Sequence, residues 1–235
     1  MIPADDHFRD FLAKDVRGRT VFYGASLLTS LGSVRDLGLE GTEIVWEGEA
    51  ARLGLPGKFN FSNAIAAIAI ALELSVSASS VRRGIESVKP LFGRGEIFYG
   101  RSTLIRDCYN SSPESSTAAL DFCDNLEWPG RRIYILGSML ELGENSNEAH
   151  ACLGRRLASC RSDLVFLFGE DIRPAAEMLG AKLALHTTDM GELSAALDKC
   201  LKCGDLVLLK GSRGCALEVL TEILSKKKGG ATGGS

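Results

Sequence analysis

The chain has 235 residues, of which 45% are hydrophobic and 24% are charged, and its formal net charge is −3 at pH 7. This composition is typical of a soluble globular protein with enough chain for one large or two ordinary domains. It excludes a broad electrostatic attraction to nucleic acid or to anionic membranes, so any anion site must be local.

Targeting signals and cysteine chemistry are weak in this sequence. No apolar run is long enough to span a bilayer, and the acidic start lacks the apolar core of a signal peptide, so we predict a cytoplasmic protein. The seven cysteines are odd in number and scattered, which argues against a disulfide framework. Cys200 and Cys203 have redox or metal spacing, but neither a second pair nor a nearby histidine accompanies them. We therefore predict no metal site.

The first part of the chain changes character several times. A short apolar start is followed by a helical pattern around Phe8 and Phe11, and then by a strand over 19–24. Glycines interrupt 33–55, which predicts antiparallel strands joined by turns. A helix over 64–72 is rich in small residues, which predicts that it is buried, and a second helix covers 81–88. Pro90 and Gly93 then mark a domain boundary.

After that boundary, strands and helices alternate. This order predicts the α/β class, with a mostly parallel sheet covered on both faces. The predicted strands are 103–106, 132–137, 163–169, 182–186 and 205–209, and the predicted helices are 115–125, 147–159, 172–179, 191–203 and 216–224. Residues 225–235 are rich in Lys, Gly and Ser, which predicts a disordered tail.

Polar residues follow several of the predicted strands. The last strand runs into Lys210-Gly-Ser-Arg-Gly214, another is followed by 107–115, and a third by 137–143. Ligands of open α/β sheets bind at the carboxyl ends of strands, so these loops predict one shared cleft. The alternative is that each loop only turns the chain. Part of 107–115 is capping chemistry, because Ser112 can cap a helix that begins at Pro113.

Several sequence blocks together resemble the Mur ligase family, and the resemblance extends from about Asp5 to about Leu224. The blocks are GKFNFSNAIAA (57–67), GRGE (93–96), DCYNSSPESSTAALD (107–121), GSMLELG (137–143) and KGSRG (210–214). Within the family, the GSMLELG and KGSRG blocks favour the branch that adds D-alanyl-D-alanine.

The resemblance implies an ATP-dependent amide ligase of peptidoglycan precursor synthesis. In this family ATP and Mg²⁺ serve to convert a peptide carboxylate into an acyl phosphate, which the incoming amine attacks. The substrates implied here are UDP-N-acetylmuramoyl-tripeptide and D-Ala-D-Ala. Residues 1–93 correspond to the last portion of the central ATP-binding domain, and 94–224 to the Rossmann-like carboxyl-terminal domain. No GxxxxGK[ST] motif is present, so we expect a fragment that is inactive without the family's amino-terminal domains.

Site residues follow from the resemblance position by position. Asn60 and Asn63 match asparagines that contact adenine, Arg94 an arginine that reaches the phosphates, and Asp107 the acid near the ribose. For Asn60 the alternative is a helix cap. The dipeptide pocket is expected from Tyr109, Asn110, Lys210, Ser212 and Arg213, and Arg213 suits bidentate binding of the dipeptide carboxylate.

Some positions depart from the family pattern. Phe59 replaces a usual His, Arg106 a frequent acid, Ser112 a frequent Asn and Ser138 an Asp. Two alternatives stay open at this point: a sister ligase that adds another amino acid or adds glutamate to folate, and a non-catalytic module that binds a nucleotide or a peptide.

Overall fold

The structure is a computed structural model that describes residues 1–225. By the density of internal contacts it divides into two units, Met1–Lys89 and the chain from Pro90 onwards. The predicted tail falls almost entirely on 226–235, outside the described residues, and Ser225 itself ends the last helix. No helix of the described part is long and apolar enough to cross a membrane.

The first unit contains small sheets and three helices. Strands β1 and β2 pair in parallel, and β3, β4 and β5 form the antiparallel meander expected from the glycine-broken segment. The elements are β1 (Ile2–Pro3), α1 (Arg9–Ala13), β2 (Phe22–Tyr23), β3 (Leu31–Asp36), β4 (Thr42–Trp46), β5 (Glu49–Leu53), α2 (Lys58–Glu73) and α3 (Ala78–Ser87).

One face of α2 packs in the core of this unit and another face does not. Ile65 and Ile68 are buried against the inward residues of β4 and β5, among them Ile44 and Leu53. On another face Ile70 is 48% exposed and Leu74, just past the helix end, is 71% exposed. The prediction that this helix is buried is therefore correct for only part of its surface.

The second unit is an α/β layer structure. Its six-stranded sheet has the order β10-β9-β8-β11-β7-β6, and all neighbours are parallel except the edge pair β6 and β7. The predicted α/β class with a mostly parallel sheet is confirmed. The elements are β6 (Glu96–Tyr99), β7 (Thr103–Asp107), α4 (Pro113–Asn125), β8 (Arg132–Gly137), α5 (Ser146–Ser159), β9 (Leu164–Phe168), α6 (Arg173–Ala176), β10 (Leu183–Thr187), α7 (Met190–Cys200), β11 (Leu206–Lys210) and α8 (Thr221–Ser225).

The structure departs from the sequence expectations for this unit in three places. The helix expected over 172–179 covers only Arg173–Ala176. The helix expected over 216–224 is interrupted: Ala216 is left-handed (φ 50°), Leu217–Leu220 form a 3₁₀ turn, and only α8 is α-helical. Strand β6 was not anticipated, because its four residues follow a glycine-rich turn and show no clear alternation. Its position at the sheet edge bears directly on the site described next.

Candidate functional site

Three polar loops of the second unit leave the sheet at the same edge. In the parallel register Lys210 lies opposite Asp107 on β7 and opposite Leu136 on β8, so β11 lies between the two strands and ends level with them. The loops after β7, β8 and β11 therefore start side by side, as expected for a ligand-binding edge.

Lys210 lies at the centre of this edge and is almost fully buried, with 2% of its side chain exposed. Its ammonium group contacts Asp107 Oδ2 at 3.1 Å and donates to the main-chain oxygens of Asn110 at 2.7 Å and of Asp107 at 3.4 Å. An ammonium group has three protons to donate, so these three contacts use all of its hydrogen-bond donors. In this state Lys210 holds the 107–110 loop and presents no donor to solvent.

Ser212 joins the loop after β11 to the loop after β8. Its Oγ accepts a hydrogen bond from the Leu140 N–H at 2.9 Å, and its own N–H donates to the Ser138 carbonyl at 3.2 Å. Gly211 allows this close approach, because a Cβ at that position would lie 3.0 Å from the Gly137 Cα. The two loops are thus fixed to each other by main-chain contacts.

His150, on α5, is hydrogen-bonded to the loop after β8. Its buried ring accepts the Met139 N–H at Nε2 (2.9 Å), and its Nδ1 lies 2.8 Å from the Ser146 carbonyl oxygen. This arrangement fits the neutral tautomer that carries its proton on Nδ1. Burial lowers the pKa of His150, while the Ser146 carbonyl and the charge of Asp171 oppose that shift.

The loop after β7 leads into α4 through a capping box. Ser112 Oγ accepts from the Ser115 N–H at 3.2 Å, and Ser115 Oγ accepts from the Ser112 N–H at 2.9 Å. The prediction that Ser112 caps a helix beginning at Pro113 is confirmed. Asn110 Oδ1 accepts from the Ser111 N–H at 2.8 Å, so the amide oxygen of Asn110 serves the loop.

Two arginines flank the ring of Tyr109. The guanidinium carbon of Arg94 lies 4.4 Å from the ring centroid, and that of Arg213 lies 5.9 Å from it. Gly93 lets the backbone approach this ring: its φ is +66°, its carbonyl accepts the Tyr109 N–H at 3.0 Å, and a Cβ there would lie 2.9 Å from that nitrogen. Among the described residues, most N–H donors of both arginines have no acceptor and are available for an anion.

The sequence did not predict the ion pair between Arg106 and Glu96. Arg106 donates to both carboxylate oxygens of Glu96, at 2.9 and 2.8 Å, and stacks over Phe92 at 4.5 Å. A second pair joins Arg213 Nη1 to Glu218 Oε1 at 3.3 Å. The sequence pattern gave no signal for these partners, since Glu96 lies on the unpredicted strand β6 and Glu218 in the interrupted last helix.

The remaining predicted residues, Asn60 and Asn63, lie on α2 of the first unit. Asn60 Nδ2 donates to the Pro56 carbonyl at 2.8 Å, while Gly57 is the N-cap residue of the helix. Both asparagines line a cavity of about 430 Å³ whose other walls are mainly Leu, Ile, Val and Ala side chains of β5, α2 and α3. The structure thus brings together Arg94, Asp107, Tyr109, Asn110, Lys210, Ser212 and Arg213 in one unit, and the two asparagines in the other.

Metal-binding chemistry is weak in the part of the chain that the structure describes. No group of three or more His, Cys, Asp and Glu side chains has the arrangement of a metal site there. All seven cysteines are free, and Cys108 is buried directly after Asp107.

Comparison with known proteins gives a consistent result. The family model described as "Mur ligase, glutamate ligase domain" matches residues 93–213, about half of the chain. A UDP-N-acetylmuramoyl-tripeptide–D-alanyl-D-alanine ligase of Treponema pallidum is 37% identical over 231 residues, which cover 95% of this chain and 50% of that protein. The chain therefore spans about half the length of this relative.

Solved structures agree with that result. MurF from Acinetobacter baumannii superposes with a TM-score of 0.81 at 27% identity, covering 95% of this chain and 50% of that one. MurF ligase from Thermotoga maritima, solved in complex with ADP, gives a TM-score of 0.67 at 27% identity over 83% of this chain and 45% of that one.

Proposed function

Because this chain belongs to the Mur ligase family, we propose that it forms the carboxyl-terminal part of a ligase that adds D-Ala-D-Ala to UDP-N-acetylmuramoyl-tripeptide. The observation that carries the proposal is the meeting of the Lys210–Gly214 loop with the 107–110 loop, joined by Lys210 and flanked by two arginines with free donors. The relatives of similar sequence carry the name of this dipeptide-adding enzyme.

In this proposal the chain supplies portions of two domains. Residues 1–93 form the last portion of the central ATP-binding domain and 94–224 form the carboxyl-terminal domain. The match of the family model to 93–213 supports the second assignment. The exposed apolar side chains along α2, such as Ile70, support the first, because a helix that is apolar all round belongs in the interior of a larger domain. The other domains of the same enzyme would then be the partners of this chain.

The nucleotide contacts are assigned as follows. Asn60 and Asn63 line a largely apolar cavity, an environment that suits a flat base ring read by amide groups. Arg94 offers unused donors to phosphate oxygens, and Asp107 offers carboxylate oxygens to ribose hydroxyls. When bound, ATP supplies the phosphoryl group that activates the tripeptide carboxylate. We assign the magnesium ligands to the rest of the ligase.

The dipeptide is assigned to the edge formed by Tyr109, Asn110, Ser212 and Arg213. The free guanidinium donors of Arg213 suit bidentate binding of the dipeptide carboxylate. Lys210 acts on this pocket through Asn110, whose main-chain oxygen its ammonium group holds. Holding the carboxylate in this way orients the amine at the far end of the dipeptide for attack, which lowers the entropic part of the barrier.

The test compares this chain with the full-length ligase that contains it. We expect no ATP-dependent ligation by the chain alone, because its sequence contains no GxxxxGK[ST] phosphate loop. In the full-length ligase, Arg213→Ala should raise the KM for D-Ala-D-Ala about tenfold, as loss of a charge-assisted hydrogen bond predicts, and leave the KM for ATP unchanged. Asp107→Asn should instead raise the KM for ATP and leave the KM for D-Ala-D-Ala unchanged.

Three results would contradict the proposal. Turnover by the chain alone would show that ligation does not require the other domains of the ligase. A genuine stop codon upstream of Met1 in the gene would favour a separate binding module. An unchanged KM for the dipeptide in Arg213→Ala, with wild-type folding verified by circular dichroism, would remove the assigned pocket.

A further inference from the structure

Arg213 carries the assigned carboxylate contact, yet it starts from a loop and 55% of its side chain is exposed. A free arginine at such a position samples many rotamers, and ordering it on binding reduces affinity. The structure nevertheless gives its guanidinium group defined neighbours. The question is which of them fixes its direction.

Glu218 is the neighbour with the firmest attachment to the fold. It belongs to the turn Leu217–Leu220, and both Leu217 and Leu220 are buried in the core of the second unit. Its side chain is 19% exposed, and Oε1 lies 3.3 Å from Arg213 Nη1. The acid therefore holds a fixed position, and the arginine is the partner that can move.

The second carboxylate oxygen of Glu218 is unusual. Oε2 is buried and finds no hydrogen-bond donor among the described residues. The charge also acts on the thiol next to it: burial first, and then the charge of Glu218, raise the pKa of Cys108 to about 11. A carboxylate with a buried, unsatisfied oxygen weakens the folded state, so stability gives no reason for an acid here.

Ring contacts complete the surroundings of Arg213. Its guanidinium carbon lies 5.0 Å from the centroid of Phe92, and Arg106 stacks over the same ring at 4.5 Å. Because Glu96 fixes Arg106 through two hydrogen bonds, Phe92 contacts a fixed arginine as well as Arg213. The guanidinium group thus has ring contacts with Phe92 and Tyr109 and an ion pair with Glu218, and no other described residue accepts from its donors.

We propose that Glu218 is the positioning residue of Arg213: it holds the guanidinium group beside Phe92 and Tyr109 so that its free donors face an incoming carboxylate. The inference rests on the proposed function for the identity of that carboxylate, D-Ala-D-Ala. It assigns to Glu218 no contact with the substrate. Its contribution is the order it imposes on Arg213 before binding.

A purely electrostatic role of Glu218 predicts the opposite change in the affinity for the carboxylate. If Glu218 acted only through its charge, its removal would reduce repulsion and tighten the binding of an anion. That repulsion is weak where solvent screens a group as exposed as Arg213, so we expect the loss of order to dominate. The direction of the change in affinity therefore decides between the two readings.

The first experiment measures the order of Arg213 in this chain without any ligand. The Nε–Hε resonance of Arg213, assigned by its absence in Arg213→Ala, should show a high heteronuclear NOE in the wild type and a clearly lower one in Glu218→Gln. Glu222→Gln is the matched control, because it makes the same change at an exposed acid of α8 and should leave the resonance unaltered. An equal NOE in the wild type and Glu218→Gln overturns the proposal.

The second experiment titrates D-Ala-D-Ala into the same proteins and follows the chemical shifts. We expect Glu218→Gln to weaken binding about fivefold to tenfold, while urea unfolding shows stability equal to or above that of the wild type. Unchanged or tighter binding would overturn the positioning role. If the dipeptide does not bind the wild type but the Arg213 resonance still depends on Glu218, the proposed function fails and the positioning of Arg213 stands.

Discussion

At the scale of single residues, Lys210 shows how a charged side chain can be buried at a ligand-facing edge. Its ammonium group is surrounded by the Asp107 carboxylate and two main-chain carbonyls, so its charge is paired and its protons are used. A buried ion pair costs little while it is complete, but losing one partner leaves an uncompensated charge. Lys210 therefore contributes to the fold as well as to the proposed site.

We expect Lys210→Met to lower the free energy of unfolding by about 3 kcal/mol, because it leaves Asp107 without its partner. Lys199→Met, at an exposed position in the last turn of α7, should change it by less than about 0.5 kcal/mol. Urea unfolding followed by circular dichroism measures both. Equal small effects in the two variants would show that the Lys210 pair contributes nothing to stability.

His150 makes stability depend on pH. Its pKa is lowered in the folded state by burial, so below about pH 6.5 the unfolded chain takes up a proton that the folded chain excludes. The free energy of unfolding should therefore fall as the pH falls from about 6.5 towards the folded pKa, by at most about 1.4 kcal/mol per pH unit for this group.

The measurement is urea unfolding of the wild type and His150→Gln between pH 7.5 and pH 5. The difference in slope between the two proteins isolates His150 from the many carboxylates that titrate at lower pH. A Gln side chain can still accept the Met139 N–H, so the variant should fold. Parallel curves for the two proteins would contradict the assignment of a neutral, buried His150.

At the scale of secondary-structure elements, the burial of α2 is expected to differ between this chain alone and the ligase proposed to contain it. Ile68 is fully buried and Ile70 is 48% exposed, although both belong to the same apolar run. Within this chain only the first has a complete set of packing partners. In a larger central domain both would be covered.

We expect Ile68→Ala to destabilise the chain by about 2–5 kcal/mol and Ile70→Ser to change its stability by about 0.5 kcal/mol or less. In the full-length ligase, Ile70→Ser should also destabilise, because it would place a hydroxyl in a packed interior. Thermal and urea unfolding of these three variants and their two parent proteins provides the comparison. If Ile70→Ser is neutral in the full-length ligase as well, the helix face is not covered there.

The elements that the sequence predicted well are those with a strong local pattern. The strands β8, β9 and β11 contain continuous apolar runs ended by polar or glycine residues, and the structure has these strands, and also β7, within a residue or two of the expected positions. Strand β6 and the broken region after Arg213 were not predicted. Strand β6 depends on its pairing with β7, and the interruption before Leu217–Leu220 depends on the left-handed backbone of Ala216, which an alanine in a helical pattern does not predict.

The candidate site was predictable to a similar degree. The meeting of loops at one edge follows from the parallel register, which the alternation of strands and helices indicates. The side-chain partners did not follow, because Glu96, Phe92 and Glu218 come from separate segments whose neighbours are set only by folding. The burial of Lys210 was likewise invisible in a sequence where it looks like a free cation.

At the scale of the whole molecule, each of the two units has hydrophobic core residues of its own among the residues that the structure describes. One core contains Ile44 and Ile68 and the other contains Ile135 and Val207. Each set belongs to a single unit, so each unit should respond to substitutions in its own core.

We expect calorimetry to show two thermal transitions. Ile68→Ala should lower the temperature of one of them and Ile135→Ala the temperature of the other, each by several degrees. The near-ultraviolet signal of Trp46, buried in the first unit, identifies which transition belongs to which unit. A single transition shifted equally by both substitutions would show that the two cores unfold together.

The position of β11 in the sheet has a consequence for synthesis. This strand fills the space between β7 and β8 although it is the last strand along the chain. While a ribosome is still making residues before Leu206, β6 and β7 can form one hairpin and β8, β9 and β10 another partial layer, but nothing joins them. The sheet of the second unit is therefore complete only after Leu206–Lys210 have been synthesised. A nascent chain that stalls before these residues exposes the unpaired edges of β7 and β8 to other chains.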